Sequence, residues 1–104
     1  MDSYNVYLTD IAEDDLRDIV RYISIQLQVP ITGLRMLKTI RKAIEKLETN
    51  ALAYPLVRDD RLARIGYRML MIENYLAFYI VDEYNKTVCV DRILYARREW
   101  QNIL

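Results

Sequence analysis

Seven arginines gather around the apolar strands in the last third of the chain, and they are the residues whose type and spacing could do chemistry. Arg58, Arg61, Arg64 and Arg68 precede those strands, and Arg92, Arg97 and Arg98 lie at and beyond the last one, with Tyr95 among them. A small sheet that displays fixed guanidinium groups is built to meet something anionic or hydrogen-bonding, whether a substrate or a partner protein. The chain has no His, a single Cys89 and no clustered carboxylates, which excludes a zinc site and a His-based acid/base pair and leaves no cofactor or metal to expect.

Each of these side chains also has a structural reading. Arg68 is read either as a functional cation or as the partner of a carboxylate such as Asp91 or Asp82, holding strands in register. Arg92 alternates with Val88, Val90 and Leu94, which points it toward the core and toward a carboxylate on a helix; a bulge near Asp91 would reverse that facing. Arg97 and Arg98 follow the last strand, where they either contact a partner or open a solvated helix. Tyr7, Tyr22, Tyr67 and Tyr79 fall in strand or helix patterns and are read as core or rim. Tyr95 stands apart from them because of its arginine neighbours. Cys89 is read as a small buried apolar residue.

The elements that must position these groups can be read from periodicity. Tyr4 to Leu8 alternates as a short strand. Asp10 and Glu13 have capping-box spacing, and Ala12, Leu16, Ile19, Ile23 and Leu27 then mark the buried stripe of a first helix, widened by Val20. Pro30 forces a turn at residues 28 to 31. Leu34, Leu37, Ile40, Ile44 and Leu47 mark a second helix, antiparallel to the first, which fades at Thr49 and Asn50. Residues 51 to 64 read as a loop with a short strand at most. Residues 65 to 72, 75 to 82 and 87 to 95 read as antiparallel strands separated by turns at Glu73-Asn74 and Glu83-Lys86. Both faces of the middle strand are apolar, so both require cover. Residues 97 to 104 are expected to form a short terminal helix that packs Trp100, Ile103 and Leu104 onto the fold. The class is α+β, an N-terminal strand and a two-helix hairpin on an antiparallel sheet of about four strands, in one domain over residues 1 to 104.

Composition narrows the partners. Fifteen basic and fifteen acidic residues cancel, so no global field draws the chain to nucleic acid and any polyanion must be met locally. The opening MDSYNVYLTD has an acidic residue at position 2 and no apolar run, and no 18 apolar residues run together anywhere. Neither a signal peptide nor a membrane span is expected, and the lone cysteine fits a reduced, cytoplasmic protein.

Three segments carry a resemblance to a known family: YNVYLTDIAEDDLRDIVRYI, GYRMLMIENYLAFYIVDE and VDRILYARREWQNIL. In this order, and spanning Tyr4 to Leu104, they resemble the RelE/ParE superfamily of bacterial toxins from type II toxin-antitoxin systems. The LT-AEDDL-IVRYI opening, the long helices and the RILYARREW ending look more like the ParE branch. The resemblance implies a growth-inhibiting, plasmid-stabilising type of toxin that forms a hetero-oligomer with a cognate antitoxin and inhibits DNA gyrase without hydrolysing a substrate. The alternative it implies is a RelE-like mRNA interferase that works on the ribosome. A further alternative is an inactive homologue that only binds its antitoxin.

Cutting RNA through its own 2′-hydroxyl requires a proton acceptor, cations at the crowded phosphate and assistance to the leaving oxygen. The nuclease set here would be Arg68, Tyr95, Arg97 and Arg98. Against it, the basic residue that RelE-type nucleases place early in the middle strand is replaced, since Tyr75 is followed by Leu76; the strand before lacks alternating lysines, and no terminal His-Tyr pair is present. Under the gyrase reading the partner-binding residues are Arg92, Tyr95, Arg97, Arg98 and Trp100.

Overall fold

Thr9, not Asp10, starts the first helix. Its extended backbone lets the side chain accept from the Ala12 amide at 3.0 Å, while its hydroxyl donates to the Asp91 carbonyl at 3.0 Å. The expected Asp10-Glu13 box gives way to this cap one residue earlier, and Glu13 instead pairs with Arg41 across the hairpin. In the computed structural model, which describes residues 3–104, the elements run β1 (Asn5–Leu8), α1 (Asp10–Arg21), a π-helical turn (Tyr22–Gln26), α2 (Pro30–Glu45), α3 (Leu47–Asn50), α4 (Asp60–Ile65), β2 (Arg68–Ile72), β3 (Tyr75–Asp82), β4 (Thr87–Tyr95) and a 3-10 turn (Trp100–Asn102). No described helix is long and apolar enough to cross a membrane.

The α+β class and the hairpin-on-sheet architecture are as the sequence predicts. The sheet is mixed: its order is β1-β4-β3-β2, with β2, β3 and β4 antiparallel and β1 added parallel to β4. The parallel pairing follows from connectivity, because the whole hairpin and two further strands intervene before the chain returns beside β1. The segment before β2 is also more ordered than expected. Asp59 caps α4 by accepting from the Leu62 amide, and Gly66 ends the helix in the left-handed region at φ 109°, so the strand begins at Arg68 and not at residue 65. The terminal helix is reduced to the single 3-10 turn.

The hairpin is held by one close approach. A Cβ on Gly33 would lie 2.0 Å from Ser24 Oγ and 3.2 Å from the Val20 carbonyl oxygen, so α2 presses its bare backbone onto the π turn of its neighbour. That turn carries a Tyr22 to Leu27 hydrogen bond in the i→i+5 pattern. The widened turn changes the apolar stripe: Leu16 and Ile23 remain buried, but Leu27 is 53% exposed. On α2 the inward line is Met36, Ile40 and Ile44, whereas Leu34 is exposed.

Both faces of β3 are buried. On the hairpin side Ala77 and Tyr79 join Leu70, Val88, Val90 and Ile93 beneath Leu16, Ile40 and Leu47; on the other side Leu76, Phe78 and Leu94 lie under Val57, Leu62 and Tyr67, with Trp100, Ile103 and Leu104 packed alongside. Burying a side chain such as Phe78, fully sheltered and stacked 5.1 Å from the Trp100 ring, stabilises the fold by about 1.5–3 kcal/mol. Cys89 is a free thiol that is only half-buried, not a core residue.

A bulge decides the facing of β4. Phe78 sits opposite Arg92 but Tyr79 sits opposite Val90, so Asp91 is the extra residue. The alternation is thereby reset: Ile93, and not Arg92, follows Val88 and Val90 into the hairpin core, and Leu94 enters the second core. The displaced Asp91 carboxylate accepts a hydrogen bond from the Tyr67 hydroxyl.

Candidate functional site

Past Leu8, β1 stops and β4 would run on with an open edge. Asp15 on α1 closes it. Its carboxylate accepts from Arg92 Nε at 2.8 Å, from a second Arg92 guanidinium nitrogen at 2.9 Å and from the Ile93 amide at 3.0 Å. The bidentate pair raises the Arg92 pKa, with the Asp15 hydrogen bond as the main cause. Arg92 therefore has the helix carboxylate that its alternation suggested, reached from the bulge and not from the core.

This clamp fixes the end of β4 beside α1 and leaves a groove of about 560 Å³ between them. One wall is Asp15, Asp18, Ile19, Tyr22 and Leu27; the other is Tyr75, Ile93, Leu94, Tyr95 and Arg98. Tyr95 faces Tyr75 across the strands with the rings edge-on at 5.9 Å, and burial pushes the Tyr75 phenol up. The chain then turns sharply. The Ala96 amide donates to the Asn74 carbonyl and the Arg98 amide to that of Tyr95, which brings the Arg98 side chain to the groove. Asp15 is neutralised by Arg92, whereas Asp18 and Arg98 have no ion-pair partner among the described residues. The groove is thus aromatic and aliphatic along its floor, with an unpaired carboxylate and an unpaired guanidinium on its rim. It is suited to receive a side chain or short segment, and no described group of carboxylates or thiols there could hold a metal ion.

The arginines singled out in the sequence do not converge. Tyr95 and Arg98 share the groove, and Arg97 is exposed but does not line it. Arg68 lies opposite Tyr79, four residues along β3 from the Tyr75 that faces Tyr95; at ~3.4 Å per residue that is roughly 14 Å along the strand direction. Its guanidinium donates to the Tyr54 carbonyl at 2.6 Å and not to Asp91 or Asp82. Arg61 and Arg64 ride on α4, which covers the opposite face of the sheet through Leu62, and Arg61 donates to the Gln101 carbonyl. Trp100 packs in the second core against Phe78.

Several groove residues escaped sequence reasoning. In the sequence Asp15 is one of several acids on the first helix with nothing to mark it, and Leu27 falls on the stripe expected to be core. Tyr22 carried a weak signal, an aromatic at the edge of an apolar stripe just before a proline turn.

Residues 6–100 match the model of the ParE toxin family, described as the ParE toxin of the type II toxin-antitoxin system parDE. No curated protein matches. Among solved structures, the fold is similar to one from the chromosomal ParDE toxin-antitoxin system of P. aeruginosa, at a TM-score of 0.76 and 19% identity over 93% of this chain and 100% of that one. It is also similar to a chain of the RelBE2 toxin-antitoxin complex of Mycobacterium tuberculosis, at 0.66 and 20% identity over 89% and 98%. With the family's model spanning nearly all of the sequence, on a fold that both of these toxin-antitoxin structures share, the chain belongs to the ParE toxin family of type II toxin-antitoxin systems.

Proposed function

We propose that this toxin is neutralised by a cognate antitoxin and acts as a non-catalytic inhibitor of DNA gyrase, with Tyr95, Arg97, Arg98 and the adjoining groove as its contact surface. The observation that carries this reading is the dispersal of the cations. A nuclease needs its acceptor and its phosphate-binding cations within hydrogen-bond reach of one scissile bond. Arg68 is roughly 14 Å away along the strands and bonded to a backbone carbonyl, and Arg92 is consumed by Asp15. The remaining groove, with exposed Leu27 and Tyr22, has the character of a peptide-recognition surface and suits an amphipathic antitoxin segment.

The test is a pair of assays on the purified chain: supercoiling by gyrase, and cleavage of message on translating ribosomes. Inhibition of supercoiling with intact message is expected. Cleavage of message with unaffected gyrase would replace this reading with the RelE-like one, for which Tyr95 and Arg98 in one groove are the favourable feature. Arg97→Ala combined with Arg98→Ala is expected to relieve growth inhibition, and Tyr95→Phe to leave it intact, since no proton transfer by the hydroxyl is involved.

A further inference from the structure

The two edges of the sheet are treated differently. Along β2 the outward groups at the start of the strand are occupied, since the Val57 amide donates to the Tyr67 carbonyl, the Met69 amide donates to that of Pro55, and Leu56 bridges to Arg68, which leaves only Met71 at the hairpin end without a partner among the described residues. Along β1 they are not. The Asn5 and Thr9 amides donate to Lys86 and Val90 of the β4 side, so the odd-numbered positions face inward in the parallel ladder and the even-numbered ones face out. The first outward amide, that of Tyr4, is used by the Glu48 carbonyl. The next two, Val6 and Leu8, have no partner for amide or carbonyl among the described residues. The strand reads Asn-Val-Tyr-Leu, without the charge, proline or bulge that ordinarily protects an edge.

We propose that β1 pairs antiparallel with β1 of a second copy, across a two-fold axis at Tyr7, joining the two sheets into one. Self-pairing in this register uses the free groups completely. With Tyr7 opposite Tyr7, Val6 of one copy faces Leu8 of the other, and each such pair exchanges both of its hydrogen bonds, leaving no outward group of the strand unmet. Centring on Val6 would require the Tyr4 amide, which is already bonded to Glu48. Centring on Leu8 runs into the start of α1 at Asp10. The axis also places the two Tyr7 rings together in a close, non-hydrogen-bonded pair on the sheet face away from the hairpin; Tyr7 is 52% exposed in the single chain. With no charge on the strand, the symmetry brings no like charges together.

Sedimentation equilibrium of the purified chain tests this, with amide exchange as a second readout. A concentration-dependent dimer is expected, with protection of the Val6 and Leu8 amides rising as it forms. Tyr7→Lys and Tyr7→Glu each place like charges across the axis and are expected to weaken dimerisation about fivefold or more. An equimolar mixture of the two is expected to recover it. Val6→Pro, which deletes an outward donor and spares the bonds from Asn5 and Tyr7 to β4, is expected to weaken it as well, with thermal unfolding confirming the fold. A monomer at all concentrations overturns the proposal, as does a dimer indifferent to the Tyr7 charges. Protection of Val6 and Leu8 that arises only on adding antitoxin to a monomeric chain likewise overturns it and assigns the edge to a partner's strand.

Discussion

Replacing Asp15 by alanine removes one carboxylate and strands two groups. Arg92 and Asp15 side chains are 22% and 13% exposed, so the pair lies between the solvent-exposed case, where loss costs about 0–1 kcal/mol, and the fully buried case, where deleting one partner costs about 3–5 kcal/mol. A value of ~2 kcal/mol follows for the charge left behind. The Ile93 amide, whose acceptor is the same carboxylate, adds about 1 kcal/mol as an unsatisfied donor. Asp15→Ala is therefore expected to destabilise the chain by ~3 kcal/mol, a fall in Tm of roughly 12–24 °C for a domain of this size. Asp15→Asn, which can still accept from Ile93, is expected to cost less. Urea unfolding followed by circular dichroism measures both, and a cycle with Arg92→Ala isolates the coupling. The control is Arg17→Ala, whose pair with Asp14 is 61% exposed on both sides and should contribute less than about 0.5 kcal/mol. If Asp15→Ala falls within that same margin, the clamp does not hold the end of β4 and the groove is not positioned as argued.

Two further outcomes follow from the packing. Gly33→Ala sets a Cβ against Ser24 Oγ and is expected to cost about 1–3 kcal/mol as overpacking, despite the better helix propensity of alanine; adding Ser24→Ala should recover part of that in the same unfolding assay, because the nearest atom is removed. The Tyr67 phenol is raised from 10.0 to about 12, first by burial and then by its bond to Asp91. The fold thus favours the neutral phenol: its contribution is complete below pH 10.0, the unfolded value, and is lost as pH rises through about 12. Tyr67→Phe should abolish one late-titrating phenol in an ultraviolet titration. Tyr79 is also raised to about 12, mainly by burial, and remains late-titrating in that variant.

The positions of helices and strands were legible because each leaves a local period. Leu16, Ile23, Ile40 and Ile44 recur at helical spacing and are buried, and the turn at Glu73, with φ 52°, falls where β-forming residues stop. Leu34 and Leu27 fit the same stripes yet are exposed, because the π turn shifts Leu27 off its stripe and the close approach of the two helices is made at Gly33 and not at Leu34. Residues 60–65 lacked a long enough period to show as a helix; capping by Asp59 and the left-handed Gly66 define it.

The sequence by itself determined the class, the order of the two long helices and the four strands, the need to cover both faces of β3 and the family, since all of these rest on periodicity and on short runs of neighbouring residues. Which arginine meets which partner was decided only by the tertiary structure. Arg92 finds Asp15 77 positions away because an extra residue at Asp91 resets the alternation of β4 and brings its guanidinium to the helix. Arg68 is drawn to the Tyr54 carbonyl by a bridge that no alternation reveals. Periodicity reports which side of an element is apolar, but a cation's role depends on what lies opposite it, and that is set by contacts between segments far apart in the chain.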